Sequence, residues 1–271
     1  MKTGMIRICA AVAAAMTLAG SASAHRAWML PSTFTLSGEE QWVSVEGAVS
    51  NNLFFANHNA LRLESVTVTA PDGSGVAIEN AASGKLRSMF DVKLDRQGTY
   101  KISSASSGYS ASWKEGEETK RWRGTAEELE SSGAASKPGA EISRNSRRNE
   151  TFVTLGTLTG SVFASDGAGL ELKPVTHPND IFTGEDVSFQ FLVDGKPAAG
   201  VAAQIVRGGD RYRDNEDAVT VTSDASGMIT FALDEAGAYW LEADHEGQGL
   251  FRGKPITERM TYVMTFEALP N

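Results

Sequence analysis

Leu94-Asp-Arg-Gln-Gly98-Thr-Tyr100-Lys-Ile102 returns later in the chain as Leu233-Asp-Glu-Ala-Gly237-Ala-Tyr239-Trp-Leu241, so the pattern Leu-Asp-x-x-Gly-x-Tyr-x-apolar occurs twice. Upstream of each copy stand a Val-Thr-Val-Thr run (Val66–Thr69, Val219–Thr222) and an Asp-containing turn, Asp72-Gly73 or Asp224 to Gly227. A turn followed by Gly-x-Tyr entering a strand is the corner before strand F of an immunoglobulin-like sandwich, where the tyrosine hydroxyl reaches back to backbone groups that the turn leaves without partners. Two such corners predict two sandwiches; the competing reading is coincidence between two short turn motifs.

The rest of the chain agrees with an all-β fold. Trp42–Val45, Phe90–Leu94 and Val187–Val193 alternate apolar and polar residues between clusters of Gly, Asp, Asn and Pro, the pattern of short antiparallel strands. Asp194-Gly195-Lys196-Pro197 reads as a hairpin turn, and Leu170–Pro174 as the opening of the second unit. Residues 105–150 are rich in Ser, Gly and charge. They form a polar insertion with one short helix at Thr125-Ala-Glu-Glu128, where Thr and Glu have capping-box spacing. Arg144, Arg147 and Arg148 read as a solvated basic loop rather than an anion site, and Phe152–Leu155 as a returning strand. The expected division is a signal segment at 1–24, a β-sandwich at 25–165 carrying the insertion, and an immunoglobulin-like β-sandwich at 166–271.

Residues 1–24 carry Lys2 and Arg7, an apolar run from Ile8 to Gly20, then Ser21-Ala-Ser-Ala24, the three-part layout of a secretory signal cleaved after Ala24. The run is short for a bilayer span of roughly 20 residues, so a product free in the periplasm, with no membrane insertion after cleavage, is expected. Cleavage removes Cys9, the chain's single cysteine, and with it disulfides and thiol chemistry. Loss of Lys2 and Arg7 lowers the basic count from 25 to 23 against 34 acids, a net charge of −11. That charge disfavours nucleic acid and permits cations.

Four strings share an order with a known family: His25-Arg-Ala-Trp28-Met-Leu-Pro-Ser32, Gly169–Pro178, Phe191–Ala198, and Thr222–Gly227 leading to Ala236–His245. With them the chain resembles the bacterial envelope family catalogued as domain of unknown function 4198. The resemblance implies immunoglobulin-like folding and a periplasmic part in nickel or cobalt uptake.

Cleavage after Ala24 makes His25 the first residue. A free amine and an imidazole on one residue chelate a single ion, and one more imidazole completes a three-nitrogen brace suited to Cu(II) or Ni(II), with Zn and Co binding more weakly. If one strand leaves His25 and the next returns antiparallel, the loop holding His58 comes back to the same end. His58 is then the third nitrogen or an unliganded histidine of an Asn-rich loop. His177 and His245, with Asp244, form either a second metal site about a strand length away or a hydrogen-bonded turn and a solvated hairpin. The chain has no Gly-x-Ser-x-Gly elbow, Ser-x-x-Lys, phosphate-binding glycine loop or His-Glu-x-x-His helix, so catalysis is poorly supported. The expected function is binding of a divalent transition metal (Ni, Co or Cu) and its delivery to an envelope transporter. The alternatives are a copper-dependent polysaccharide monooxygenase and a metal-free interaction or scaffold module.

Overall fold

A computed structural model describes residues 25–271; the signal segment expected at 1–24 and its cleavage lie outside the described residues. The first part of the chain forms β1 (Arg26–Pro31), β2 (Thr35–Leu36), β3 (Gln41–Ser50), β4 (Asn59–Ala60), β5 (Val66–Thr69), β6 (Gly75–Val76), β7 (Ile78–Ser83) and β8 (Ser88–Leu94). After these come β9 (Gly98–Glu115), β10 (Glu118–Gly124), helix α1 (Ala126–Ser131) and β11 (Glu141–Leu155). Next come β12 (Leu170–Pro174), β13 (Asp186–Val193), β14 (Lys196–Pro197), β15 (Ala202–Arg207), β16 (Val219–Thr222) and β17 (Met228–Ala232). Two strands of 15 residues, β18 (Gly237–Phe251) and β19 (Lys254–Ala268), close the fold.

The repeated corner forms at both places. Tyr100 Oη accepts from the backbone N–H groups of Asp95 (3.1 Å) and Arg96 (2.8 Å), and Tyr239 Oη donates to the Glu235 carbonyl (2.6 Å). Gly98 and Gly237 sit at φ +129° and +145°, where a side chain is strained. At Gly98 a Cβ would also stand 2.7 Å from Pro71.

The protein is all-β, two immunoglobulin-like sandwiches built in three layers. A central ten-stranded sheet runs β16-β15-β18-β19-β11-β9-β5-β6, with β10 on β9 and β2 on β11. One face is covered by β1-β3-β8-β7 with β4, the other by β12-β13-β14 with β17. The sandwiches share the central sheet because β11 pairs in parallel with β19, from Ser143↔Thr257 to Thr151↔Thr265. Side chains alternate across a strand, so neighbours on β11 serve different cores. Phe152 packs with Phe189, Phe191, Tyr262 and Phe266 of the second sandwich, while Val153 packs with Val45, Phe90, Tyr100 and Ile102 of the first. Each large apolar side chain buried this way contributes about 1.5–3 kcal/mol.

Apart from α1 and the turns around it, the polar insertion at 105–150 is sheet. β9 and β11 pair from Gly98↔Leu155 to Ser112↔Glu141, carrying the central sheet well beyond the covering layers. One face of this extension holds Ala111, Ile142, Phe251 and Ile256 under Leu129 of α1 and Ala134. The capping box starts α1: Glu128 N donates to Thr125 Oγ1 (3.2 Å), and Thr125 N donates to Glu128 Oε2 (2.8 Å). The basic group lies on β11 in ion pairs, correcting the solvated-loop reading. Arg144 meets Glu258 at 3.3 Å, Arg147 meets Glu242 at 3.5 Å, and Arg148 meets Asp166 at 2.8 Å. Among the described residues no helix is long and apolar enough to cross a membrane.

Candidate functional site

The antiparallel pair β1–β3 aligns Arg26 with Ser50, and β4 aligns Asn59 with Val49. One step beyond each register, His25 and His58 meet at the end of β3. Their rings stack with centroids 3.7 Å apart and planes 16° from parallel.

The loop that presents His58 is held by its own amides and by the second sandwich. Asn57 Oδ1 accepts from Asn51 N (2.9 Å), and Asn57 Nδ2 donates to Asn52 Oδ1 (3.2 Å). Trp28 Nε1 donates to Ser50 Oγ (2.7 Å), whose hydroxyl donates to the Asn52 carbonyl (2.6 Å). Leu53 N donates to the buried Asp210 carboxylate at 3.1 and 3.2 Å. Phe54 takes φ +57°, a region that penalises bulky side chains. Its ring meets Trp28 edge-on at 5.6 Å and lies so close over Gly208 that a Cβ there would stand 2.6 Å from Phe54 Cδ2.

Electrostatics at this end centre on Arg26, which pairs with Asp210 (3.3 Å) and Glu216 (2.7 Å) and lies 5.2 Å from the Trp240 ring centroid. Trp240 Nε1 in turn donates to the Ala27 carbonyl (3.0 Å). Burial pushes the Glu242 carboxyl up to about 7, against the pull of Arg147 and Arg26 and with a further push from Asp244. Phe55 and Tyr212 are exposed nearby, with the Arg211 guanidinium 3.7 Å from the Phe55 ring centroid.

The other two histidines are not brought together. His177 Nδ1 accepts from Asn179 N (3.0 Å), while Nε2 faces Thr99 Oγ1 (3.0 Å) and the Thr159 carbonyl (3.2 Å). The acceptor role of Nδ1 places the neutral ring's proton on Nε2, so both nitrogens are engaged. Burial lowers the pKa of this imidazole. His245 pairs with Met260, and Met260 with Ser146, whereas His177 sits by Thr99, whose partner is Thr154. Eight residues of β11 separate Ser146 from Thr154, on the order of 26 Å at the strand rise. A joint site of His177, His245 and Asp244 is therefore corrected. β18 runs past His245 to Phe251, and as strand neighbours Asp244 and His245 point to opposite faces.

Among the described residues no group of three or more His, Cys, Asp or Glu is arranged to hold a metal. Two imidazoles stand at the candidate site, and stacked rings do not direct two lone pairs at one cation lying in both ring planes. Rotation of the rings about their side-chain bonds is needed, and the exposed position of His58 leaves room for it. Arg26, Asp210 and Glu242 escaped the sequence reading because their partners lie on segments remote in sequence; Gly208-Gly209 before Asp210 is the one local signal of a tight approach.

The profile of the family described as Domain of unknown function (DUF4198) matches residues 22–247. No curated protein matches the chain. Among solved structures, a DUF4785 family protein from Legionella pneumophila is similar at 9% identity and a TM-score of 0.24, over 80% of this chain and 50% of that one. This chain thus spans about half the length of that protein. The D0-D1 domain of Intimin is similar at 10% identity and a TM-score of 0.21, over 88% and 96% of the two chains. An ICAM-5 D1-D4 ectodomain fragment is similar at 11% identity and a TM-score of 0.22, over 90% and 51%.

Proposed function

This chain belongs to the family described as Domain of unknown function (DUF4198), and from that premise we propose that it is a periplasmic protein that binds a divalent transition metal (Ni, Co or Cu) through His25 and His58 and takes part in its uptake or delivery. The observation that carries the reading is the approach of the two rings to 3.7 Å across 33 residues of sequence. Cleavage after Ala24 supplies the third donor, the α-amine of His25. Three nitrogens suit Cu(II) and Ni(II) best. The ion itself would be cargo handed to an envelope transporter.

Around that ion the chain's own residues hold the frame. Asp210 fixes Leu53 and Arg26 together, so the strand bearing His25 and the loop bearing His58 are anchored to one carboxylate of the second sandwich. Neither Arg26 nor Asp210 is a ligand in this reading: the guanidinium takes the carboxylate and keeps it away from the cation.

Calorimetric titration of the chain starting at His25, and of the same chain with one alanine before it, tests the proposal. Binding of one equivalent of Cu(II) or Ni(II) by the first, weakened at least tenfold in the second, supports it. Equal affinity overturns the brace. Copper-dependent, peroxide-driven cleavage of a polysaccharide would replace delivery with the monooxygenase reading.

A further inference from the structure

The extension of the central sheet has two faces, and among the described residues one of them is covered. α1 and its neighbours pack on the side of Ala111, Ile142 and Ile256. By strand alternation the intervening residues face the other way, and there the paired positions Arg123, Ser110, Ser143, Thr257 and Gln248 form one continuous row across five strands. The next row places Arg121, Ser112 and Glu141 side by side. Gly108 contributes no side chain one row further on. The result is a trough of about 650 Å³, inside the range of roughly 300–1,000 Å³ found for ligand clefts.

The chemistry of this surface is selective. Its floor is hydroxyl-lined and already ordered: Asn145 Nδ2 donates to Ser110 Oγ (3.0 Å), and Arg259 reaches Ser143 Oγ (3.1 Å) while also pairing with Glu246. Arg121 and Arg123 are exposed, and neither has a carboxylate partner among the described residues, in a chain whose acids outnumber its bases 34 to 25. Opposite Arg121 stands Glu141, also exposed. The backbone groups of the floor are spent in the ladder, so a bound strand of peptide finds none to pair with on this face.

We propose that this trough binds an acidic oligosaccharide in extended form, its carboxylates taken by Arg121 and Arg123 and its hydroxyls by the serine and threonine floor and Glu141. Guanidinium groups pair with carboxylates in a bidentate, charge-assisted way. Hydroxyl side chains both donate and accept, which suits a ligand rich in hydroxyls. A polyanion without hydroxyls leaves the floor unpaired and meets Glu141 with like charge. The site is independent of the histidine pair and stands or falls separately from it.

Calorimetry on the chain starting at His25 with a tetramer of galacturonate tests the assignment, with maltotetraose, polyglutamate and polyphosphate as comparators. Saturable binding of the uronate tetramer, weakening with salt and at least tenfold weaker in the double variant Arg121→Gln/Arg123→Gln, is the expected result. Ser112→Tyr fills the floor and keeps both arginines, and it is expected to abolish binding while the melting temperature holds. No uronate binding at millimolar concentration overturns the proposal. So does unchanged binding in Ser112→Tyr, or polyphosphate or polyglutamate binding as tightly as the uronate.

Discussion

Replacing Phe152 with alanine probes whether the two sandwiches behave as one cooperative unit. Phe152 is 2% exposed and meets the Phe163 ring edge-on at 5.1 Å, inside the core of the second sandwich. Truncating a phenylalanine in such a place costs about 3–5 kcal/mol. For a chain of this length each kcal/mol lowers the melting temperature by about 2–4 °C, so a fall on the order of 6–20 °C is expected. The neighbouring Val153→Ala removes a smaller side chain from the other core and is expected to cost about 1.5–3 kcal/mol. The nine parallel pairs of β11 with β19 tie both cores to one sheet, so each variant should lower hydrogen-exchange protection in β8 of the first sandwich and in β13 of the second together. Loss of protection in β13 alone for Phe152→Ala, with β8 unchanged, would refute the shared-sheet reasoning.

Other perturbations follow from the same geometry. The Glu242 carboxyl, raised to about 7 from an ordinary 4.5, binds a proton more readily in the folded state, so its burial lowers stability as pH rises from about 4.5 to 7; in urea titrations Glu242→Gln should gain about 1–2 kcal/mol over the parent at pH 8 and little at pH 4. His177 behaves oppositely in origin: its folded pKa lies below its ordinary value, so stability present above about pH 6.5 is lost on acidification, and His177→Asn should flatten that limb of the curve. Gly208→Ala forces a Cβ to within 2.6 Å of Phe54; denaturant midpoints should show a cost of about 1–3 kcal/mol, and nuclear magnetic resonance should show the His58 ring signals shifted. Tyr262→Phe strips the buried Glu150 of its 2.8 Å donor and should cost about 1–3 kcal/mol by the same midpoints.

How far the sequence disclosed this arrangement depended on the distance over which each feature is encoded. The tyrosine corners at Tyr100 and Tyr239 were legible because a hydroxyl reaching four or five residues back is a local event. The Thr125 capping box and the Asp194-Gly195 turn, with φ +49° and +73°, were legible for the same reason. The meeting of His25 and His58 followed from strand parity, since one antiparallel return suffices to bring them together. By contrast, the parallel β11–β19 pairing joins segments more than a hundred residues apart, and no periodicity within either strand announces it. Residues 105–150 read as a polar insertion, and Arg144, Arg147 and Arg148 as a solvated loop, because a strand with one open polar face carries serines and arginines where a core strand carries valines. The same cause defeated the pairing of His245 with His177: β18 runs on past His245 to Phe251, so His245 lies within a long strand and not in a hairpin turn.

The metal proposal meets its most direct test in the electron paramagnetic resonance spectrum of one equivalent of Cu(II) on the chain that starts at His25. Superhyperfine coupling to three nitrogens, reduced to two in His58→Ala, is the result expected from an amine and two imidazoles on one ion. A spectrum identical in the parent and in His58→Ala would contradict it.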